Sequence, residues 1–249
     1  MRCARDHALW GKRPSQGRGD LQGLRQGDED RGYGRQEGRG GDSQHKGDIV
    51  AIGNHVSVTV LDYGAGNVGS MARALDAVGA TPSVVRSADD SSSASRLVLP
   101  GVGRFGEVMR ALHERGFDAM IRDHVAAGRP FLGVCVGLQV LFDGSDEDPA
   151  EVGMGLVAGR VVRFDAPKVP QVGFNLVEPV GKGVIDKSYY YFVNSYHVVP
   201  EERGVVAAES DYHGVFTAAI SVGSMLALQF HPEKSGSVGL ALLRRWLAC

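Results

Sequence analysis

The spacing of apolar residues changes repeatedly between residues 56 and 142. Across residues 56–60 every second residue is apolar, which predicts a β-strand. Between Met71 and Val78 apolar residues recur every three or four positions, which predicts an amphipathic helix ending at Gly79. The same two patterns alternate further on, with strands at 83–85, 97–99 and 131–134 and helices at 117–125 and 138–142. Strands alternating with helices predict a largely parallel sheet covered on both faces.

The second half of the chain is richer in strand patterns. Short turns separate these segments, so some of them are expected to form antiparallel hairpins. The predicted strands are 159–164, 172–177, 190–193, 205–208, 216–221 and 225–230. A final apolar helix pattern covers residues 238–247. Residues 56–249 are therefore expected to form one α/β domain.

Residues 1–55 have a different composition. Glycine alternates there with charges of both signs, as in Gly17-Arg18-Gly19-Asp20, and apolar residues are isolated. Such a segment cannot bury enough surface to offset its ordering entropy, which predicts a disordered extension. A start of the protein near Val56 or Val58 would also explain it, and an arginine-glycine RNA-binding tail is a third interpretation that the interspersed acids weaken.

Composition narrows the function classes. A formal net charge of -2 over 249 residues argues against nucleic acid or an anionic membrane as the main partner. The longest apolar stretch, residues 131–142, is too short to cross a bilayer, and the first thirty residues lack the apolar segment of a secretory signal. Three cysteines without close spacing predict neither a disulfide framework nor a metal site, and they favour a reducing cytoplasm.

Cys135 is the one cysteine inside the patterned region. In Gly133-Val134-Cys135-Val136-Gly137 it lies between a predicted strand and a predicted helix, as the nucleophile of a hydrolase elbow does. A tight turn of this kind leaves no room for side chains two residues to either side. The turn therefore predicts a nucleophilic thiol, with the Val136 N–H directed toward the oxyanion of a tetrahedral intermediate.

A cysteine nucleophile needs a base and a group that orients the base. His231-Pro232-Glu233 follows the strand pattern at 225–230. In an extended segment residues i and i+2 point the same way, so Glu233 could fix His231 and leave its second nitrogen for Cys135. His197 and His213 lie near strand ends and remain open as alternatives, whereas His113 and His124 lie in helical patterns.

Taken together, these motifs resemble the class I (triad-type) glutamine amidotransferases, and among them the glutaminase subunits of imidazole glycerol phosphate synthases. The resemblance runs from about residue 58 to the C-terminus. Its more specific motifs are Asp62-Tyr63-Gly64, Pro100-Gly101-Val102-Gly103, Val169-Pro170-Gln171 and Asn194-Ser195-Tyr196. It implies a flavodoxin-like doubly wound fold and hydrolysis of L-glutamine through a Cys135 thioester. It further implies a heterodimer with a cyclase subunit, a (β/α)₈ barrel that receives the ammonia, and no cofactor or metal.

The same resemblance assigns further site residues. Gly101 and Val102 would supply the second oxyanion donor. The glutamine substrate would be held by four residues: Gln139, Glu147, Ser195 and Tyr196. Five positions depart from the family pattern: Val136, Leu138, Gln171, Phe174 and Asn194. The last three bear on the partner interface and ammonia gating.

A rival hypothesis comes from Gly64-Ala65-Gly66-Asn67-Val68-Gly69, a formal G-x-G-x-x-G. Such a turn after a strand can bind the pyrophosphate of NAD, provided that an acid follows about twenty residues later. Asp89 and Asp90 come near that position but lie beyond the end of the second strand. The rival also leaves Cys135 and His231 unexplained. A catalytically inactive scaffold and the other glutamine amidotransferases are further alternatives.

Overall fold

A computed structural model of the chain describes residues 56–64, 67–90 and 94–249. The predicted extension at residues 1–55 lies outside this range and stays a prediction. Within the described residues, no helix is long and apolar enough to cross a membrane.

The described helices and strands follow one another along the chain as an α/β protein. The strands are β1 (Val56–Leu61), β2 (Ala80–Val85), β3 (Leu97–Leu99), β4 (Phe131–Val134), β5 (Gly144–Ser145), β6 (Gly159–Arg163), β7 (Gln171–Pro179), β8 (Ser188–Asn194), β9 (Tyr196–Pro200), β10 (Val206–Asp211), β11 (Val215–Val222) and β12 (Met225–Leu228). The helices are α1 (Val68–Ala77), α2 (Phe105–Glu114), α3 (Phe117–Ala126), α4 (Val136–Gln139) and α5 (Gly236–Ala248). Short 3₁₀ turns lie at Ala88–Asp90, Arg203–Val205 and Pro232–Lys234.

The strands form one mixed sheet whose first half is parallel. Its order is β2-β1-β3-β4-β12, all parallel. This is the flavodoxin-like order 2-1-3-4-5, with the last strand supplied from near the C-terminus. The sheet continues through β11, β10, β7 and β8 by antiparallel pairing, and β9, β6 and β5 branch from β11. The predicted fold class is confirmed.

Each face of the sheet carries its own buried cluster. On one face Val58 and Val60 pack with Leu75 of α1 and Leu242 of α5. On the other face Leu97 and Leu99 pack with residues of α2, α3 and α4. A strand places successive side chains on opposite faces of the sheet. Because helices cover both faces here, the central strands need apolar residues at successive positions.

Several elements differ from the sequence predictions, among them the two-residue strand β5, which was not predicted. Helix α2 was not predicted, although Phe105, Val108, Met109 and Leu112 have helical spacing. Strand β9 was also missed, since only Ser195 separates it from β8. The predicted helix at 138–142 is instead the four-residue α4, because Leu141 N–H and Phe142 N–H donate to carbonyls only three residues back and tighten the turn.

Candidate active site

Cys135 joins β4 to α4 in a strained conformation. Its φ of 54° and ψ of −110° lie outside the regions that most residues occupy. Its N–H donates to Leu228 O of β12 at 2.7 Å, so the sheet holds the turn. A Cβ on Gly133 would lie 2.5 Å from Gly137 O, and a Cβ on Gly137 would collide with Leu99 O. The two glycines are therefore required by close backbone packing around the thiol.

His231 and Glu233 meet as a buried pair. His231 Nδ1 lies 2.7 Å from Glu233 Oε1, and neither side chain is exposed. The segment is not fully extended as predicted, because Glu233 belongs to the 3₁₀ turn Pro232–Lys234. His231 N–H donates to Tyr191 O at 2.8 Å, which ties this turn to β8. His231 Nε2 is buried without a hydrogen-bond partner among the described residues, which leaves it for the thiol.

The electrostatics of this pair favour a protonated imidazole. Burial by itself lowers the pKa of His231. The neighbouring Cys135 side chain and the Glu233 carboxylate outweigh burial and raise the pKa of His231 to about 9. Asn67 Nδ2 donates to the same Glu233 Oε1 and so fixes the carboxylate from the start of α1. A thiolate beside an imidazolium is the arrangement that cysteine nucleophiles use.

The other candidate histidines lie elsewhere. His197 stacks on Phe164 with ring centroids 4.7 Å apart, and His213 occupies a turn with positive φ. His124 is buried with Nε2 2.9 Å from Pro130 O, and His113 is an exposed partner of an aspartate. None of these contacts involves Cys135. His231 is therefore the histidine placed to act as the base for Cys135.

The sulfur of Cys135 has two further polar neighbours. Sγ lies 4.0 Å from Val193 O of β8 and 3.7 Å from Nε2 of Gln229. Gln229 is completely buried directly after β12. Sequence reasoning did not single it out; its place two residues before His231, next to the strand end, was the available signal.

A cavity of about 260 Å³ opens beside the thiol. Its lining contains Cys135, Val136 and the four residues expected to hold glutamine: Gln139, Glu147, Ser195 and Tyr196. The rest of the lining is Gly103, Pro170, Val193 and Asn194. The structure thus brings together residues from five separate parts of the sequence at the carboxyl ends of β4 and β8.

Two of the predicted substrate residues already have protein partners. Gln139 Nε2 donates to Tyr196 O and to Gln229 Oε1, both at 3.1 Å. Only its carbonyl oxygen is then left to accept from a substrate ammonium. Glu147 Oε2 accepts from Phe105 N–H at 2.8 Å, which leaves its other oxygen for a ligand. Both arrangements suit a positively charged group in the cavity.

The predicted oxyanion segment is engaged elsewhere at rest. Val102 N–H donates to Tyr63 Oη at 3.2 Å, and Tyr63 O–H donates to Val102 O at 3.1 Å. Burial, with Cys135 and Asp62 nearby, raises the pKa of Tyr63, so its hydroxyl stays protonated. Gly101 packs against the elbow, where an added Cβ would lie 2.5 Å from Val136 Cγ1. The Val102 amide is therefore held by Tyr63 and is not free to donate to an oxyanion.

The loop that suggested a dinucleotide site serves other contacts. Asp90 Oδ2 accepts from the N–H groups of Arg86 and Ser87 and so closes the turn after β2. Asn67 holds Glu233, and Ala65 and Gly66 lie outside the described residues. Asp90, one of the two acids considered for a dinucleotide ribose, is thus occupied in a local turn.

An exposed apolar strip lies on β7 and β8. Val172, Phe174 and Tyr189 are each about 60% exposed. Phe174 contacts Tyr191 edge-to-face, and Lys234 Nζ lies 5.7 Å from the Tyr191 ring. Tyr191 is the residue whose carbonyl accepts from His231 N–H, so the strip borders the catalytic turn. Gln171 and Asn194, paired in register beside it, are buried, and each has side-chain atoms without a hydrogen-bond partner in the described part of the chain.

Comparison with known proteins gives consistent results. The family model described as Glutamine amidotransferase class-I matches residues 59–248. The imidazole glycerol phosphate synthase subunit HisH of Deinococcus radiodurans is 49% identical over 202 residues, covering 77% of this chain and 94% of that protein. The HisH subunit of Thermus thermophilus is 46% identical over 188 residues, covering 74% and 93%.

Solved structures share the fold at lower identity. A crystal structure of a glutamine amidotransferase matches with a TM-score of 0.64 at 22% identity, covering 77% of this chain and 98% of that one. The structure of PurLQS from Thermotoga maritima matches with a TM-score of 0.63 at 19% identity, covering 78% and 98%.

Proposed function

The chain belongs to the class-I glutamine amidotransferase family, and from this premise we propose that it is the glutaminase subunit of an imidazole glycerol phosphate synthase in histidine biosynthesis. It hydrolyses L-glutamine to glutamate and ammonia. The observation that carries the proposal is the buried His231–Glu233 pair beside Cys135. Cys135 itself lines a cavity of about 260 Å³. The likeness to HisH subunits over more than nine-tenths of their length supports the same activity.

The chemistry follows from the roles of the triad. The Cys135 thiolate attacks the side-chain carboxamide carbon, and the Val136 N–H stabilises the resulting oxyanion. His231 gives its Nε2 proton to the leaving nitrogen, which departs as ammonia and leaves a thioester. Water, deprotonated by the now neutral His231, cleaves the thioester to glutamate and restores the Cys135 thiolate beside the protonated His231. Glu233 keeps the imidazole oriented throughout, as a third triad member does.

The cavity suits the amino-acid end of glutamine. The free oxygen of Gln139 and the unused oxygen of Glu147 are acceptors for the α-ammonium group, and Ser195 and Tyr196 line the same cavity. These assignments and those of Gly101 and Val102 to the oxyanion site remain part of the proposal.

A cyclase subunit is the proposed partner and ammonia acceptor. The heterodimer would place its (β/α)₈ barrel against the apolar strip Val172, Phe174 and Tyr189, which borders the catalytic turn. A monomeric surface seldom exposes several large apolar side chains together without a binding role. The barrel would use the ammonia to form imidazole glycerol phosphate and aminoimidazole carboxamide ribotide. The cytoplasmic location stays a prediction.

The resting site is incomplete, because Val102 N–H is bound to Tyr63. We therefore expect weak glutaminase activity from the isolated chain and strong stimulation by the cyclase subunit with its nucleotide ligand, as active sites completed by assembly show. A coupled glutamate assay with and without that subunit measures this. High turnover by the isolated chain, or no turnover with the partner, would contradict the proposal.

A further inference from the structure

Gln229 places a buried carboxamide against the nucleophile. The residue directly follows β12, and its N–H donates to Ala218 O at 2.8 Å, which fixes its backbone. Its side chain is fully buried and lies outside the set of residues that line the cavity. The proposed reaction has given this group no role. A buried amide nevertheless needs partners, because an unsatisfied one costs free energy.

The hydrogen bonds around Gln229 determine which of its atoms faces the sulfur. Tyr196 O can only accept, so the Gln139 atom 3.1 Å away must be Nε2. The second N–H of that Gln139 amide points at Gln229, 3.1 Å away, so the Gln229 atom there must be the oxygen. Gln229 Nε2 is then the atom 3.7 Å from Cys135 Sγ. The Tyr196 carbonyl thus orients the Gln139 amide, which in turn orients the Gln229 amide so that its N–H group points at the sulfur.

A donor aimed at sulfur favours the thiolate over the thiol. Hydrogen bonds to a charged form stabilise that form, and bonds in a dry site are stronger than bonds in water. Helix α4 is only four residues long, so its dipole contributes less than a full helix would. The acceptor on the other side, Val193 O at 4.0 Å, favours the thiol instead. The donor from Gln229 opposes that preference.

We propose that Gln229 is a positioning residue for the nucleophile: its carboxamide, oriented by Gln139 and the Tyr196 carbonyl, holds the Cys135 thiolate through an N–H···S hydrogen bond. This deepens the proposed glutaminase function and rests on it for its role in turnover. Its effect on thiol reactivity does not depend on glutamine. Because Gln139 also lines the cavity, one network connects the substrate site to the sulfur.

The test is Gln229→Met, which keeps the volume and removes both hydrogen bonds. In wild type and variant, the rate of Cys135 alkylation by iodoacetamide is measured from pH 5 to pH 10. We expect the rate below the midpoint of the profile to fall about tenfold and the midpoint itself to move about one unit toward higher pH, as loss of one hydrogen bond to a charged group implies. The plateau at high pH should be unchanged or slightly higher, because more basic thiolates are better nucleophiles.

The other titratable groups near the sulfur are unaltered in this comparison. They are His231 with Glu233 behind it, Tyr63 on the β1 side, and Glu147 and Tyr196 in the cavity lining. Ser210→Ala, which removes a buried side-chain hydrogen bond between β10 and β7, is the matched control and should leave the profile unchanged. Equal profiles for wild type and Gln229→Met would overturn the inference.

Turnover gives a second readout. With the cyclase subunit present, Gln229→Met should lower kcat about tenfold with little change in KM, since Gln229 does not line the substrate cavity. A rise in KM with unchanged kcat would contradict the inference. If wild type alkylates as expected yet shows no glutaminase activity with the partner, the proposed function fails while the thiolate contact stands.

A measurement on the wild type covers the case in which the variant does not fold. The side-chain amide resonances of Gln229 in an NMR spectrum should shift with pH at the same midpoint as the alkylation rate. A shift at that midpoint supports the contact with the thiolate. Resonances that do not respond across that midpoint would overturn it.

Discussion

His231 shows how burial and two neighbouring side chains determine the charge state of one imidazole. Burial disfavours its charged form, and the Cys135 and Glu233 charges favour it more strongly, which raises the pKa to about 9 from an ordinary 6.5. A group whose pKa is raised by folding stabilises the native state fully below its unfolded pKa. That contribution is lost as the pH rises through the native pKa. The triad should therefore be held as an ion pair at neutral pH and weaken toward pH 9.

Glu233→Gln tests this assignment. Removing the carboxylate charge should lower the pKa of His231, so the alkaline limit of glutaminase activity should move below that of wild type. The free energy of unfolding should be reduced most near pH 6.5 and least above pH 9. Chemical denaturation at several pH values measures this. Asp118→Asn, which removes the carboxylate of the exposed His113 pair, is the control and should have little effect. A deficit that grows above pH 9 would contradict the assignment.

Tyr63→Phe tests the resting state of the oxyanion segment. Without the hydroxyl, neither end of Val102 is held, and its N–H becomes available to an oxyanion. We expect glutaminase activity without the partner to rise about tenfold, less than the roughly 10²–10³-fold that a fully placed oxyanion donor contributes. Stimulation by the partner should fall correspondingly. Tyr212→Phe, which loses an exposed bond to Lys168 O, is the control. Unchanged or lower basal activity would show that Tyr63 does not restrain the segment.

At this scale the sequence indicated a candidate triad but few of the contacts around it. Glycine, proline and strand patterns pointed to Cys135, His231 and Glu233 as that triad. The sequence did not indicate roles for Gln229 and Tyr63. Their contacts depend on backbone groups that only the folded chain brings near them, the Tyr196 carbonyl for Gln229 and the Val102 N–H and carbonyl for Tyr63. A buried amide inside a strand pattern gives no sign of its partner until the strands are placed.

Among the elements, the turn between β4 and α4 has the tightest packing constraint. Gly137→Ala would place a Cβ against Leu99 O of the neighbouring strand, so backbone must move. We expect a loss of about 1–3 kcal/mol of stability, as overpacking costs, together with loss of glutaminase activity. Thermal unfolding and the glutamate assay measure the two effects. Gly204→Ala, which has open space around it, should stay within about 0.5 kcal/mol of wild type. Normal activity of Gly137→Ala would contradict the packing argument.

The elements themselves were largely predictable. The strand and helix patterns up to residue 134 predicted the four parallel strands β1 to β4, because strands and amphipathic helices have distinct periods. Helix α2 has apolar residues at helical spacing but was not predicted, because glycines lie close to both of its ends. The pairing of β12 with β4 could not be predicted, since it joins segments about ninety residues apart through tertiary contact. That pairing is what brings His231 to Cys135.

At the scale of the whole molecule, the parallel half supplies the nucleophile and the antiparallel half completes the site. Cys135 follows β4, whereas Ser195 and the strip around Phe174 belong to the hairpin strands β7 to β9. Strand β8 contributes to both features, since Val193 and Asn194 line the cavity beside Cys135 and Tyr189 belongs to the apolar strip. Ammonia released there would have a short path to a partner bound on that strip.

The most direct test of this account replaces the nucleophile in the assembled enzyme. With the cyclase subunit bound, Cys135→Ala and Cys135→Ser should abolish synthesis of imidazole glycerol phosphate from glutamine. Synthesis from added ammonia should persist at the wild-type rate, because the barrel carries out that step. Glutamine-dependent synthesis by either variant at the wild-type rate would contradict the central claim that Cys135 is the glutaminase nucleophile.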